Sequence, residues 1–210
     1  MARTEPDTGA TPYVPRSRSI RVLAAAAQQC RGCALYANAT QAVFGEGSTR
    51  APLILVGEQP GDQEDRRGHP FVGPAGRVLW DCIEEAGLDH DEIFVTNVVK
   101  HFKHVDRGKR RLHKRPTTAE VEACSPWLHA ELAAVRASVV VALGATAARG
   151  VLGRTVPIAP GRATPLTVDD RTVFVTYHPS AILRADEAAA ELRKALIDDL
   201  RRAGVTAGIG

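Results

Sequence analysis

Polar side chains suited to proton transfer and ligand recognition follow apolar runs of this 210-residue chain. They are Glu58, Gln59 and Asp62 in a GEQPGD sequence beginning at Gly57, Asn97 after a second run, and His178 after a third. Carboxylates and histidines transfer protons near neutral pH, and an asparagine amide both donates and accepts hydrogen bonds. The glycines of GEQPG would let the backbone approach a ligand closely, and the absence of a following GK[ST] excludes a Walker loop.

A second potential contact lies in GHPFVGPAG, where Phe71 stands among turn residues ahead of a predicted helix. An aromatic ring there could stack on a flat ligand, or it could cap the core.

Residues 100–115 concentrate the positive charge of the chain. They hold eight Lys and Arg against one Asp, whereas the remaining chain has 19 basic and 23 acidic residues. Such a local excess predicts contact with a polyanion, with a solvated loop as the alternative.

His113 lies inside this basic segment. A neutral imidazole nitrogen is a competent nucleophile, and nearby positive charges lower a histidine pKa and favour the neutral ring. The neighbouring cations are Lys109, Arg110, Arg111, Lys114 and Arg115. From these residues alone, His113 could equally be a polar member of a phosphate-binding loop.

The four cysteines, Cys30, Cys33, Cys82 and Cys124, are too few and too unevenly spaced for a disulfide framework. A CxxC pair such as Cys30 and Cys33 can be redox-active, bind zinc or bind an iron–sulfur cluster. Cys82 shares a helical apolar stripe with neighbouring residues, which predicts a core position.

The spacing of apolar residues predicts an α/β fold that can position these groups. Buried strands are expected at Leu53–Val56, Ile93–Thr96, Val139–Leu143 and Val173–Tyr177. Helices are expected from Ile20 to Ala27 and at about Ala75–Ala86, Thr118–Val135, Ala145–Leu152 and Ala185–Ala203. This alternation predicts a three-layer αβα sandwich around a mostly parallel four-stranded sheet, with the polar loops meeting beyond the carboxyl ends of the strands.

Length and composition fit one domain at residues 18–210, preceded by a disordered leader at residues 1–17. No apolar run is long enough to span a membrane, and no secretory signal is apparent at the N-terminus. We therefore expect a cytoplasmic monomer that does not bind membranes.

The sequences GEQPG, GHPFVGPAG, VTNVVK and HPSAILR occur in the order found in the uracil-DNA glycosylase superfamily, and the chain resembles its type 4 iron–sulfur branch over about residues 20–203. Two departures resemble the UdgX type, whose members become covalently joined to uracil-containing DNA. His101 stands where the type 4 pattern has a cysteine, and a basic insertion contains Lys109-Arg110-Arg111-Leu112-His113.

The resemblance implies a role for each candidate residue in binding and excising uracil. Phe71 would stack on the base, Asn97 would bond its edge, and the turn at Gly57 and Gln59 would add contacts. His178 would donate a hydrogen bond to the departing uracil. Glu58 or Asp62 would orient water or a histidine and stabilise the cationic sugar.

The resemblance also implies that His113 attacks C1′ of the deoxyribose, so that the protein stays on its DNA. Contacts with the flanking phosphates would come from Lys109, Arg110, Arg111 and Ser180. Excision is expected preferentially in single-stranded DNA, since a base inside a duplex must first be flipped out.

For the cofactor, the resemblance implies a structural [4Fe–4S] cluster bound by Cys30, Cys33 and Cys124. His101 is the expected fourth ligand, because imidazole can replace thiolate on iron. Two alternatives stay open: an ordinary turnover type 4 uracil-DNA glycosylase, and an iron–sulfur nucleic-acid-binding or redox-sensing module without catalysis.

Overall fold

Five strands form the central sheet of the structure, a computed structural model that describes residues 9–210. In chain order the elements are α1 (Ile20–Ala27), β1 (Leu53–Gly57), α2 (Asp62–Arg67), α3 (Pro74–Glu85), β2 (Ile93–Asn97), β3 (His104–Arg107), β4 (Arg110–His113), α4 (Thr118–Ala134), β5 (Val139–Leu143), α5 (Ala145–Leu152), α6 (Ile158–Gly161), β6 (Leu166–Val168), β7 (Arg171–Thr176), α7 (Pro179–Arg184) and α8 (Ala189–Ala207). Short 3₁₀ helices lie at Thr11–Tyr13, Ala34–Ala37 and His90–Glu92.

The sheet has the strand order β2-β1-β5-β7-β6. β1 pairs in parallel with β2 and β5, and β5 pairs in parallel with β7. The predicted αβα fold with a mostly parallel sheet is confirmed, but the expected count of four strands is wrong. The missed strand is β6, a partly exposed three-residue edge strand antiparallel to β7.

Successive residues of β1 point to opposite faces of the sheet and enter two separate cores. Ile54 and Val56 pack on one side with residues from α1, α4 and α5, whereas Leu53 and Leu55 pack on the other with residues from α3 and α8. The helices therefore cover both faces: β1, β2 and β5 are buried along their length, and β7 is buried from Val173 onward.

Two other predicted boundaries need correction. Residues 1–8 of the expected disordered leader lie outside the described residues, but its described part is attached to the core: Ala10 is buried, and its N–H donates to the Ala123 carbonyl over 2.7 Å. The helix expected at Ala185–Ala203 is α8, which begins at Ala189 and ends at Ala207, and the short helix α7 at Pro179–Arg184 was not predicted.

The basic segment is also more regular than a loop. β3 and β4 form an antiparallel hairpin in which His104 lies opposite His113 and Arg107 opposite Arg110. Gly108 makes the turn with a φ of 59°, in the left-handed region that glycine tolerates best. In the part of the chain that the structure describes, no helix has both the length and the apolar character needed to cross a bilayer.

Candidate active site

The loops after the parallel strands meet at one edge of the sheet and enclose a cavity of about 840 Å³. The predicted residues among its lining are Glu58, Gln59, Asp62, Phe71, Asn97, His113, His178 and Ser180. They come together because β1, β5 and β7 run parallel to β2, which places all four carboxyl ends at the same edge.

The floor of the cavity is built around Gly57, which lies opposite Asn97 in the paired strands. A Cβ atom at Gly57 would overlap the Asn97 side-chain oxygen and lie 2.7 Å from the Phe71 ring. The missing side chain therefore makes room for both groups. Phe71 has a φ of 55°, and its carbonyl accepts a hydrogen bond from the Trp80 indole over 3.2 Å, so its ring is held at the cavity.

Glu58 lies between a histidine and two donors. Its Oε1 is 3.5 Å from His113 Nε2, its Oε2 is 3.6 Å from Arg115 Nε, and the Thr146 hydroxyl donates a hydrogen bond to Oε2. The carboxylate is mostly buried, whereas the Arg115 side chain is 75% exposed. Glu58 is thus placed to stabilise positive charge arising near His113.

Gln59 joins the end of β1 to both strands of the hairpin. Its Oε1 accepts from the Lys103 N–H over 3.1 Å, and its Nε2 donates to the Lys114 carbonyl over 3.1 Å. The same amide nitrogen is 2.8 Å from His113 Nε2. Because an amide nitrogen can only donate, this network assigns the free lone pair of a neutral His113 ring to Nε2.

The pKa of His113 is lowered, mainly because burial disfavours the charged ring. Glu58 opposes this shift, and Arg184 and Arg115 add to it. Of the five cations predicted to lower the pKa, only Arg115 is among the causes. Arg111 is paired with Asp62 and Asp65 instead. The favoured state is nevertheless the predicted neutral imidazole.

His178 is also held neutral, since burial lowers its pKa to about 4, with smaller contributions from Arg184 and His113. Its Nδ1 accepts a hydrogen bond from the Ser180 N–H over 3.1 Å, at the first turn of α7. A neutral ring that accepts at Nδ1 carries its proton on Nε2. His178 is therefore a neutral donor on the cavity wall.

Arg111 was predicted to contact DNA and Asp62 to take part in catalysis, and the structure pairs these two side chains with each other. Arg111 Nε donates to Asp62 Oδ1 over 2.5 Å, and its Nη1 donates to the buried Asp65 over 2.6 Å. The other Asp62 oxygen pairs with Arg66. We infer from these contacts that Arg111 anchors the hairpin to α2. DNA contact by Arg111 and catalysis by Asp62 stay predictions.

The remaining predicted DNA-contacting residues lie at the surface or beside the cavity. Lys109 and Arg110 are exposed at the tip of the hairpin. The Ser180 hydroxyl lies 2.8 Å from His178 Nδ1 and accepts from Arg184 over 3.0 Å. Contact of these residues with DNA stays a prediction.

A buried charged cluster beneath Asn97 was missed by sequence reasoning. Lys100 Nζ donates to Glu131 over 2.5 Å, to Thr96 over 2.8 Å and to the Asn97 carbonyl over 2.6 Å. Charges this deeply buried need such complete pairing. The cluster holds the end of β2 in place, and the sequence offered no signal for it beyond a lysine after a buried strand.

Thr146 and Arg184 were also missed. Thr146 could have been found, because Val139–Leu143 was predicted as a strand and its following residues should reach the same sheet edge as the others. Arg184 lies in the HPSAILR sequence, in which only His178 and Ser180 had been given roles.

The cysteines fall into two groups on opposite sides of the sheet. Cys30, Cys33 and Cys124 are buried in the core beneath α1 and α4, whereas Cys82 is buried between α3 and α8. Burial raises the pKa of the Cys124 thiol to about 12, and Cys33 and Cys30 are near enough to contribute. Arg193 donates to the Cys82 sulfur over 3.1 Å.

The chemistry of the first group fits an iron–sulfur cluster. A cavity of about 190 Å³ is lined by Cys30 and by His101, whose pKa burial lowers to about 4, so that its ring is neutral. The Lys100 N–H donates a hydrogen bond to the Cys124 sulfur over 3.3 Å. Among residues 9–210, no three His, Cys, Asp or Glu side chains converge as around a single ion. In a four-iron cluster each iron takes its own protein ligand, so the ligands surround a space instead.

Comparison with known proteins defines the class to which this fold and site belong. Residues 44–201 match the uracil DNA glycosylase superfamily. A type-4 uracil-DNA glycosylase from Thermotoga maritima is 33% identical over 90% of this chain and 94% of its own length. One from Archaeoglobus fulgidus is 33% identical over 85% of this chain and 88% of its own. A type-5 enzyme from Pyrobaculum aerophilum is 38% identical over 72% and 74% of the two chains. The chain belongs to the uracil DNA glycosylase superfamily.

If Arg111 anchors the hairpin, Arg111→Gln should loosen it. We expect hydrogen exchange of the amides in residues 104–113 to become at least about tenfold faster, because the hairpin opens locally when its anchor is lost. Arg110→Gln removes the same charge from an exposed neighbour and should leave exchange unchanged. Equal exchange in both variants, after correction for any change in the exchange of β1, would contradict the anchoring role.

Proposed function

We propose that this protein excises uracil from DNA, preferentially single-stranded DNA, and is then captured on the resulting abasic sugar through His113. Membership of the superfamily and the named activity of the type-4 relatives support excision. One observation carries the proposal of capture: His113 lines the same cavity as Asn97, Phe71 and His178, with its Nε2 3.5 Å from Glu58.

Phe71 and Asn97 suit the recognition of uracil. The base is flat and its edge alternates acceptor, donor and acceptor, so it needs an aromatic face and an amide that can both donate and accept. Phe71 supplies the ring, and the buried Asn97 supplies the amide. Because a base inside a duplex is stacked and paired, a uracil there must be flipped out to reach the cavity.

Cleavage of the glycosidic bond transfers its electron pair to N1 of uracil and leaves positive charge on the deoxyribose. The neutral Nε2–H of His178 donates a hydrogen bond to a uracil carbonyl as negative charge builds on the base. The negatively charged Glu58 carboxylate stabilises the positive charge that develops on the sugar. These two groups require no proton transfer during the step.

Capture follows when the Nε2 lone pair of His113 leaves the Gln59 amide and forms a bond to C1′ of the sugar. The imidazole thereby becomes a cation, which Glu58 stabilises at 3.5 Å. Loss of the Nδ1 proton to solvent then gives a neutral N-glycosyl imidazole. Its leaving group would be an imidazolate anion, which departs poorly, so hydrolysis is slow and the protein stays on its DNA. If water reaches C1′ first, the same cavity performs ordinary turnover.

DNA flanking the flipped nucleotide would lie along the positively charged hairpin and the start of α7. Lys109 and Arg110 are exposed and unobstructed there, and Arg184 lies beside Ser180. These groups would bind phosphates and draw the protein to DNA in a salt-dependent manner.

We further propose that Cys30, Cys33, Cys124 and His101 hold a [4Fe–4S] cluster. When bound, the cluster supplies a rigid crosslink between distant segments of the chain. His101 precedes the hairpin and Cys124 follows it, so their ligation would fix both ends of the segment that presents His113. The role is structural, and none of the steps above needs electron transfer.

His113→Ala tests capture directly. A labelled single-stranded oligonucleotide containing one uracil is mixed with protein, heated in detergent and run on a denaturing gel. The unmodified protein should give a shifted band. In the variant the amount of shifted DNA should fall by at least about 100-fold, because the nucleophile is gone. Uracil release should persist in the variant, since Asn97, Phe71 and His178 remain.

The matched control is His69→Ala, which removes an exposed histidine paired with Glu46. It should keep the band. Persistence of the band in His113→Ala would remove His113 from its role, and uracil release without a band in the unmodified protein would establish ordinary turnover instead.

Cys124→Ser tests the cluster ligands. The purified protein should be brown, and the variant should lose both the visible absorbance and most of its iron, because a ligand is missing. Cys82→Ser removes a cysteine from the opposite core and should retain both. A variant at Cys82 that loses iron while Cys124→Ser keeps it would contradict the assignment.

A further inference from the structure

The Thr146 hydroxyl reaches across from α5 to the carboxylate of Glu58, to which it donates a short hydrogen bond. We propose that Thr146 is a positioning residue for covalent capture, which fixes the Glu58 carboxylate so that its second oxygen faces His113. This inference rests on the proposed capture through His113 and identifies the group that orients its partner.

The sheet explains how Thr146 comes to this position. β1 and β5 are parallel neighbours, with Val56 opposite Ala142, so the residues after both strands meet at the cavity. Gly144, the residue just before α5, has a φ of 89°, and a Cβ atom there would lie 3.1 Å from the His178 side chain. This tight turn starts the helix beside the cavity and places Thr146 in its first turn.

The two oxygens of Glu58 have different surroundings. Oε2 accepts from Thr146 and has Arg115 at 3.6 Å, whereas Oε1 lies 3.5 Å from His113 Nε2. A terminal carboxylate rotates easily about its last torsion angle. Arg115 is 75% exposed and holds the group weakly, so the Thr146 hydrogen bond is the contact that stops this rotation.

The hydroxyl serves Glu58 and not the helix itself. Gly144 is the N-cap of α5 and no side chain caps the helix there, while the single proton of the Thr146 hydroxyl is directed to Glu58. A residue of the same shape without a hydroxyl would therefore preserve the helix and release the carboxylate. The imidazolium formed on capture would then lose a correctly placed counter-charge, and water would compete better for C1′.

Thr146→Val and Thr146→Ser separate shape from hydrogen bonding. Under single-turnover conditions with a uracil-containing single strand, we measure the rate of adduct formation and the fraction of excised sites that end as adduct rather than free abasic DNA. Thr146→Val should slow adduct formation about tenfold and lower the captured fraction. Thr146→Ser, which keeps the hydroxyl, should stay within about twofold of the unmodified protein. Thermal unfolding of both variants checks that the fold is retained.

The inference would be overturned if Thr146→Val formed adduct at the same rate as the unmodified protein and captured the same fraction of excised sites. So would equal impairment of the Val and Ser variants, since packing and not the hydroxyl would then matter. If the unmodified protein released uracil without forming any adduct, both the proposed capture and this inference would be overturned. Failure of the inference alone is therefore distinguishable, because the unmodified protein would then still form the adduct.

Discussion

The docking of a short basic hairpin onto the loop after β1 is the constraint on which the candidate site depends. β3 and β4 have four residues each and are largely exposed, and a two-stranded hairpin alone is only marginally stable in water. Gln59 holds it from the cavity side, and Arg111 holds it through the buried Asp65. Without these contacts Asn97 and Phe71 would remain at the cavity, but His113 would not be kept beside them.

The two cavity histidines show how one side chain takes two roles through its hydrogen-bond partners. Both rings favour the neutral state because burial lowers their pKa. His178 accepts at Nδ1 from Ser180 and therefore presents an N–H, while His113 faces the Gln59 amide and therefore presents a lone pair. In the proposed mechanism, His178 stabilises the departing base and His113 attacks the sugar that the base leaves behind.

The sequence predicted the buried parts of this structure better than its exposed parts. The β-branched runs at Leu53–Val56 and Val139–Leu143 give a strong strand signal because both faces are buried. β6 and the hairpin were missed since edge and surface strands carry few apolar residues; in the hairpin only Val105 and Leu112 have that character. The pairing of Arg111 with Asp65 depends on two segments far apart in sequence, so composition alone suggested DNA contact instead.

In the proposed capture, the neutral imidazole of His113 forms a covalent bond to the deoxyribose. The most direct test of this step is to digest the denatured protein–DNA product with nuclease and protease and to identify the modified residue by mass spectrometry. We expect a deoxyribose remnant on His113, formed without any reducing agent. A remnant on Lys109 or another lysine, stable only after borohydride reduction as for a Schiff base, would contradict it.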